Sequence, residues 1–190
     1  MFYSTHTPVV FIHIPRTGGD SLTQTWSGLY YMSKDVARYK HATASQIREL
    51  IGEDNWNRAF RFTIIRDPWE IVCSLWRLIR GAPLDLGSTL WRTHIRNWRR
   101  KSFGEFVGFQ LRCLQKGGYL RTYVSEQKVH VFKHVKDAHQ KMIELIGEEF
   151  ELRHANRSQP DIPVDESFRQ QVYDYCWGDV EFLKHKVTLA

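Results

Sequence analysis

Short apolar stretches alternate along the chain with longer segments in which apolar residues recur every three or four positions. The clearest apolar stretches run from Val9 to Ile14 and from Phe60 to Ile65, and shorter ones run from Val129 to Lys133 and from Phe150 to Arg153. Continuous short runs of this kind are typical of strands that are buried on both faces of a sheet. Strands that alternate with helices predict an α/β fold in which a central, mostly parallel sheet is flanked by helices, with residues 1–190 forming a single domain.

Capping residues indicate where the predicted helices begin. Thr43 with Gln46, and Ser102 with Glu105, have the spacing of a capping box, and they predict helices over 43–50 and 102–115. Asp67 followed by a proline predicts another helix start, over 67–80. The remaining predicted helices span 21–31, 89–100, 137–146 and the residues after 165. Asp137 and Asp165 are the predicted caps of the last two, and Gly178 is a potential break in the final helix.

Composition indicates which kinds of partner the protein binds and in which cellular compartment it is expected. The 190 residues suit one domain with a sizeable core, and the formal net charge of +6 favours anionic partners such as nucleotides, acidic or sulfated sugars, nucleic acid or acidic lipid. Three dispersed cysteines, Cys73, Cys113 and Cys176, argue against a disulfide framework and a zinc site, so we expect no metal and a reducing, cytoplasmic location. Neither a signal peptide nor an apolar run of about 18 residues is found, so no membrane span is expected.

The first apolar run ends in a turn that suits a phosphate. Residues 9–21 read VVFIHIPRTGGDS, and in open parallel sheets ligands bind beyond the carboxyl ends of the strands. Gly18 and Gly19 allow a sharp turn that brings backbone N–H groups close to a ligand, and the helix that follows adds further donors. Arg16 adds a full positive charge. An ordinary turn with a surface arginine is the alternative, and the Walker A pattern is not met because the basic residue precedes the glycines.

A second strand end repeats this arrangement. Residues 64–74 read IIRDPWEIVCS, in which a buried strand ends near Arg66 and a helix starts at a proline. Ser74 lies eight residues after Arg66, about two helical turns into that helix if Asp67 is its cap. The alternative is an arginine and a serine at an ordinary helix start, with Asp67 pairing with Arg66.

Together these two stretches resemble sulfotransferases. HIPRTGGDSL is similar to the HIPKTGGTSL loop of the carbohydrate (heparan 2-O-like) branch and its bacterial relatives, and IIRDPWEIVCS is similar to the RxPxxxxxS motif of that family. The resemblance implies a P-loop-like sulfotransferase fold and the donor 3′-phosphoadenosine-5′-phosphosulfate (PAPS), with PAP as product. It implies that the 5′-phosphosulfate is contacted by Arg16, Thr17, Gly18, Gly19, Asp20 and Ser21. It implies that Arg66 and Ser74 hold the 3′-phosphate.

Two loop positions depart from the family pattern. Arg16 replaces the usual lysine and keeps its charge, although the two side chains differ in geometry. Asp20 replaces the usual threonine, and it brings a negative charge toward the anion. Either Asp20 faces the phosphate and impairs activity, or it caps the helix or pairs with Arg16 or Arg66 and turns aside, which we favour.

His41 is the predicted catalytic base, with Arg16 as the catalytic cation. Histidine has the unperturbed pKa nearest physiological pH, and the attacking hydroxyl must lose a proton. The stretch YKHATASQIREL resembles the GHATAxEIR segment of bacterial relatives, whose histidine falls in the region of the family's catalytic base. A loop histidine bonded to local backbone is the alternative. His13 is less favoured because it lies within the first apolar run, and Lys40 is either a further contact for charge or simply solvated.

The resemblance extends nearly to the end of the chain. LRHANRSQP is similar to the family's LPHLNRSK, which implies that Arg157 and Ser158 complete the donor site, although a polar turn explains the stretch equally well. Val131 and Lys133 replace an arginine and a glutamate of the family, so any role of that pair is in doubt.

The most basic segment is WRTHIRNWRRK, residues 91–101. Its cations suit an acidic acceptor, and its tryptophans suit stacking on sugars. An amphipathic helix with Trp91, Ile95 and Trp98 in the core and solvated arginines is the favoured alternative.

The predicted function is transfer of a sulfuryl group from PAPS to a hydroxyl of an acceptor, most simply a carbohydrate that is itself acidic. The alternatives are a family member that binds PAPS, PAP or an acidic glycan without turnover, a nucleotide kinase, and a nucleic-acid-binding protein. The kinase lacks support because no lysine follows the glycines.

Overall fold

Four strands form one sheet in the computed structural model, which describes residues 2–4, 7–26, 40–81, 89–125, 127–153 and 162–185. The strands are β1 (Phe2–Ser4), β2 (Val9–Ile12), β3 (Phe60–Ile64) and β4 (His130–Phe132), and they lie in the order β1-β2-β3-β4. Strands β2, β3 and β4 are parallel, whereas β1 pairs with β2 in the antiparallel direction. The predicted α/β class and mostly parallel sheet are confirmed, and β1 is an addition that was not predicted.

Helices fill most of the remaining described chain. They are α1 (Gly19–Trp26), α2 (Ala44–Ile51), α3 (Glu53–Arg58), α4 (Pro68–Gly81), α5 (Thr89–Arg99), α6 (Phe103–Cys113), α7 (Tyr119–Tyr123), α8 (Val135–Ile146), α9 (Arg169–Tyr175) and α10 (Trp177–Lys184). Both predicted capping boxes form at the starts of α2 and α6. Asp67 caps α4, since its Oδ1 accepts a hydrogen bond from the Glu70 N–H at 3.2 Å.

Two predicted features of the chain between 134 and 153 are wrong. Helix α8 begins at Val135, so Asp137 lies in its first turn and does not cap it. Residues 150–153 form no strand. The Phe150 carbonyl is 2.7 Å from Nε2 of His139, and the Arg153 N–H donates to the Thr25 hydroxyl at 2.9 Å, so these backbone groups bond to side chains instead of to the sheet.

The C-terminal helix is divided, but not at the glycine. Asp165 caps only a short 3-10 turn, Glu166–Phe168, and the helix axis breaks at Cys176, between α9 and α10. Gly178 lies inside α10, where a Cβ would come within 2.8 Å of the Gly117 carbonyl oxygen. The glycine is therefore explained by a close approach between two chain segments and not by a helix break.

Apolar side chains on both faces of the sheet explain why its strands are continuous apolar runs. On one face Val9 and Phe11 pack with residues of α1 and α8. On the other face Val10 and Ile12 pack with α2 and α3. All four side chains are fully buried, as the period of two along a strand requires when helices cover both faces.

The basic helix α5 is amphipathic, as the favoured alternative predicts. Ile95 is fully buried, and the Trp98 ring packs against Phe106 and Phe109. Arg99 donates from Nε to the Ile79 carbonyl at 3.1 Å, which ties α5 to the end of α4. The side chain of Trp91 falls outside the described part. None of the described helices is long and apolar enough to cross a lipid bilayer.

Candidate functional site at the strand ends

The carboxyl ends of β2 and β3 bring the two sequence motifs into contact. The strands are parallel neighbours, with Ile12 opposite Thr63, so the chain leaves both of them at the same edge of the sheet. At that edge Arg16 Nε donates a hydrogen bond of 2.8 Å to Ser74 Oγ, across 58 positions of sequence. We call residues 13–21, 40–41, 66 and 74 the strand-end site.

The first turn of this site has an unusual backbone. Arg16 has φ +64°, in the left-handed region that residues other than glycine seldom adopt. The buried Thr17 hydroxyl donates to the Ile14 carbonyl at 2.9 Å, and the Ser21 N–H donates to the Gly18 carbonyl at 3.1 Å. The Thr17 hydroxyl thus donates its hydrogen bond within the turn, so the backbone of Thr17 is the part that can donate to a ligand.

Each of the two adjacent glycines meets a different packing requirement. At Gly19 a Cβ would overlap the ring of His13, which lies directly against the helix start. At Gly18, where φ is +92°, a Cβ would lie 3.3 Å from Cβ of Val135 at the start of α8. The glycines therefore allow the turn to sit tightly between the end of β2 and α8.

The second motif contributes one buried and one exposed group. Ser74 is 2 % exposed and lies on the inner face of α4. Arg66 is exposed and forms an ion pair of 2.5 Å with Glu70, not with Asp67. Asp67 instead accepts a hydrogen bond of 3.1 Å from the Tyr173 hydroxyl, and it also caps α4.

The cations of the two motifs are close enough to influence each other. Burial lowers the pKa of Arg16 from its usual value, Asp20 opposes this shift, and the positive charge of Arg66 adds to it. Arginine still remains charged at neutral pH because its usual pKa is so high. The strand-end site thus concentrates positive charge around a turn and a helix N-terminus.

Asp20 forms an ion pair with Lys40. Its Oδ1 is 2.5 Å from Nζ of Lys40, and the two side chains are 22 % and 51 % exposed. Helix α1 begins at Gly19, so Asp20 lies inside the first turn and does not occupy the predicted cap position. We expected Asp20 to pair with Arg16 or Arg66, and it forms its ion pair with Lys40 instead.

The orientation of His41 is set by a backbone carbonyl. Its Nδ1 lies 3.0 Å from the carbonyl oxygen of His13. Because a carbonyl only accepts, Nδ1 must carry the hydrogen, and the neutral ring then has its lone pair on Nε2. Burial lowers the pKa of His41, although the residue keeps exposed surface. His41 is therefore a neutral base at pH 7, with Nε2 as its basic atom.

His13 is a packed residue, as its position in the apolar run suggested. It is 2 % exposed, and its ring lies 5.5 Å from that of Phe11 and 4.7 Å from that of His41. Burial holds the pKa of His13 well below its ordinary value. Its Nδ1 has no hydrogen-bond partner among the described residues. A neutral His13 supports both the loop glycine and the His41 ring.

The remaining predicted positions are either outside the described part of the chain or bonded elsewhere. Arg157 and Ser158 lie outside the described residues. Lys133 donates from Nζ to the carbonyls of Leu183 and His185, at 2.8 and 3.1 Å, so its charge stabilises the C-terminal end of α10.

A wide cleft lies elsewhere on the described part of the chain. It has a volume of about 1170 Å³, and Arg61 and His130, near the starts of β3 and β4, contribute to its lining. Asp179 at this cleft is fully buried and accepts the N–H groups of Tyr119 and Leu120 at 2.6 and 2.9 Å. Sequence reasoning missed this cap of α7. The carboxylate of Asp179 is therefore engaged with the start of α7.

The strand-end site gathers Arg16 and Arg66, the buried Ser74 hydroxyl, the Asp20–Lys40 ion pair and the neutral His41 at one edge of the sheet. Charged hydrogen-bond donors of this kind suit a ligand with more than one anionic group, and the histidine suits removal of a proton from a hydroxyl. Comparisons of the chain with protein-family models, with curated proteins and with solved structures found no match.

Proposed function

We propose that this protein is a PAPS-dependent sulfotransferase that acts on a hydroxyl of a carbohydrate acceptor. The observation that carries the proposal is the 2.8 Å hydrogen bond from Arg16 to Ser74. It joins the two stretches that resemble the donor-binding motifs of that family, although they are far apart in sequence.

The residues present fit both ends of the donor. The backbone of residues 16–21 and the Arg16 guanidinium would hold the 5′-phosphosulfate, as a helix N-terminus with a flanking cation favours. Arg66 and Ser74 would hold the 3′-phosphate. The resident Arg66–Glu70 pair is exposed, and exposed pairs contribute only about 0–1 kcal/mol, so Arg66 can exchange Glu70 for a phosphate at little cost.

The chain's own groups would carry the proton and the charge of the reaction. PAPS, when bound, supplies the sulfuryl group that the acceptor oxygen receives. His41 Nε2 accepts the proton of that hydroxyl, and the His13 carbonyl stabilises the resulting imidazolium through Nδ1–H. Arg16 offsets the negative charge that develops on the leaving phosphate oxygen.

Calorimetric titration with PAP, ADP and ATP tests the donor assignment. Loss of a charged hydrogen-bond partner costs about 1.5–3 kcal/mol, so Arg66→Ala should weaken PAP binding roughly tenfold or more. Arg48→Ala is the matched control, because Arg48 forms an exposed ion pair of the same 2.5 Å length with Glu53 on α2–α3. Equal affinity for PAP and ADP would overturn the assignment, since only PAP carries a 3′-phosphate.

Binding of PAP or PAPS without turnover is the second candidate, and Asp20 in the first turn of α1 is the observation that favours it. The two candidates separate in one assay. Transfer of labelled sulfate from PAPS to a panel of glycans supports the enzyme, whereas tight PAP binding with no transfer to any of them supports the binding protein.

A further inference from the structure

We propose that Lys40 is a built-in counter-ion for Asp20, and that this pair keeps the glycine turn able to bind an anion although the loop carries an acid. The inference rests on the proposed function. Asp20 lies in the first turn of α1, where backbone N–H groups and the helix dipole attract negative charge. An unpaired carboxylate there would oppose a bound phosphosulfate, and the 2.5 Å contact with Lys40 removes that opposition.

Lys40 is held in place by its neighbours in the chain. His41 is anchored to the His13 carbonyl at 3.0 Å, and Thr43 caps α2. The segment that carries Lys40 is thus attached to the end of β2 on one side and to a helix on the other. This distinguishes the pair from surface pairs within one helix, such as Lys141–Glu144 on α8.

Arg16 also feels the charge of Asp20: burial lowers its pKa and Asp20 raises it, but its Nε donates to Ser74 of the second motif. Lys40 is the cation that forms the 2.5 Å ion pair with Asp20. Lys40 therefore neutralises the negative charge of Asp20, the residue that departs from the family's loop pattern.

The net charge of the Asp20–Lys40 pair in each variant predicts the order in which the variants bind PAP. The pair has no net charge in the wild type, one negative charge in Lys40→Met, one positive charge in Asp20→Asn, and none in the double variant. A unit charge within a few ångströms of a bound anion changes its affinity by about tenfold or more at effective protein dielectrics. We expect Lys40→Met to bind PAP at least about tenfold more weakly than the wild type, the double variant to return to within about threefold, and Asp20→Asn to bind as well or better.

Calorimetry of the four proteins with PAP tests this order, and thermal unfolding verifies that each is folded. Lys141→Met, which breaks an exposed ion pair distant from the turn, should bind PAP like the wild type. A double variant as weak as Lys40→Met would mean that Lys40 contacts the ligand itself, and an unaltered Lys40→Met would mean that Asp20 does not face the anion. Either result overturns the inference and leaves the proposed function intact. Absence of PAP binding in the wild type would overturn both.

Discussion

Ionisation of Asp179 should remove a stabilising contribution to the fold as the pH rises from acidic to neutral. Its carboxylate is fully buried and accepts two backbone N–H groups at the start of α7. Among the described residues no lysine or arginine forms an ion pair with it. A Cβ on Gly118 would overlap this carboxylate, so the acid fills the space at the helix end. Burial raises the pKa of Asp179 from 3.8 to about 6, because desolvation outweighs the two hydrogen bonds.

The sign and the size follow from proton linkage. The folded state holds the proton of Asp179 more tightly than the unfolded state, so the stabilising contribution is complete below pH 3.8 and is lost as the pH rises through about 6. The interval between the two pKa values corresponds to about 3 kcal/mol of unfolding free energy. The lowered pKa values of His13 and His41 act in the opposite direction, because their contributions are lost as the pH falls.

Urea unfolding of the wild type and Asp179→Asn isolates this contribution. The histidines are common to both proteins and cancel in the difference between them. The asparagine loses one acceptor at every pH, which adds a constant offset. Between about pH 4 and about pH 7.5 the wild type should lose roughly 2–2.5 kcal/mol relative to the variant, because part of the contribution is already lost at pH 4.

Asp54→Asn, at an exposed carboxylate on α3, is the control and should follow the wild type. A difference that stays constant with pH would refute the reasoning. If the unfolding free energy of the wild type instead rose relative to that of the variant with increasing pH, the hydrogen bonds from the two N–H groups would outweigh desolvation of the carboxylate.

Two further predictions concern the strand-end site. His41→Ala should lower turnover by about 10²–10⁴ while PAP affinity changes little, and wild-type turnover should fall as the pH drops below the lowered pKa of His41, because the base must be neutral. Full activity of His41→Ala, or an equal loss in the exposed control His185→Ala, would remove His41 from the mechanism. Gly19→Ala should lower the unfolding free energy by about 1–3 kcal/mol because its methyl group overlaps the buried His13 ring. Gly108→Ala inside α6, with its nearest neighbour at 3.5 Å, should raise it by about 0.5–1 kcal/mol, and the same sign for both glycines in denaturant titrations would contradict the packing argument.

Much of the fold could be predicted because its signals are local. The runs at Val9 and Phe60 are apolar on both faces, and only a strand covered by helices on both sides buries such runs completely. The capping boxes of α2 and α6 depend on residues three positions apart, so they form as the spacing predicts. The predicted strand at 150–153 failed because a backbone group there finds a partner far along the chain: the Arg153 N–H bonds to the Thr25 hydroxyl instead of to a strand.

The strand-end site likewise has features that local sequence patterns predict and features that depend on tertiary contacts. The sequence by itself placed Arg16 after one buried strand and Ser74 two turns into the helix after another, because apolar runs followed by a glycine turn and by a proline-initiated helix are local patterns. Only the tertiary structure decided that these two side chains bond to each other, that Lys40 pairs with Asp20, and that the His13 carbonyl makes Nε2 the basic atom of His41. Each of these depends on a distance between segments remote in sequence. Residue spacing contains no measure of such a distance until the sheet and its helices bring the segments together.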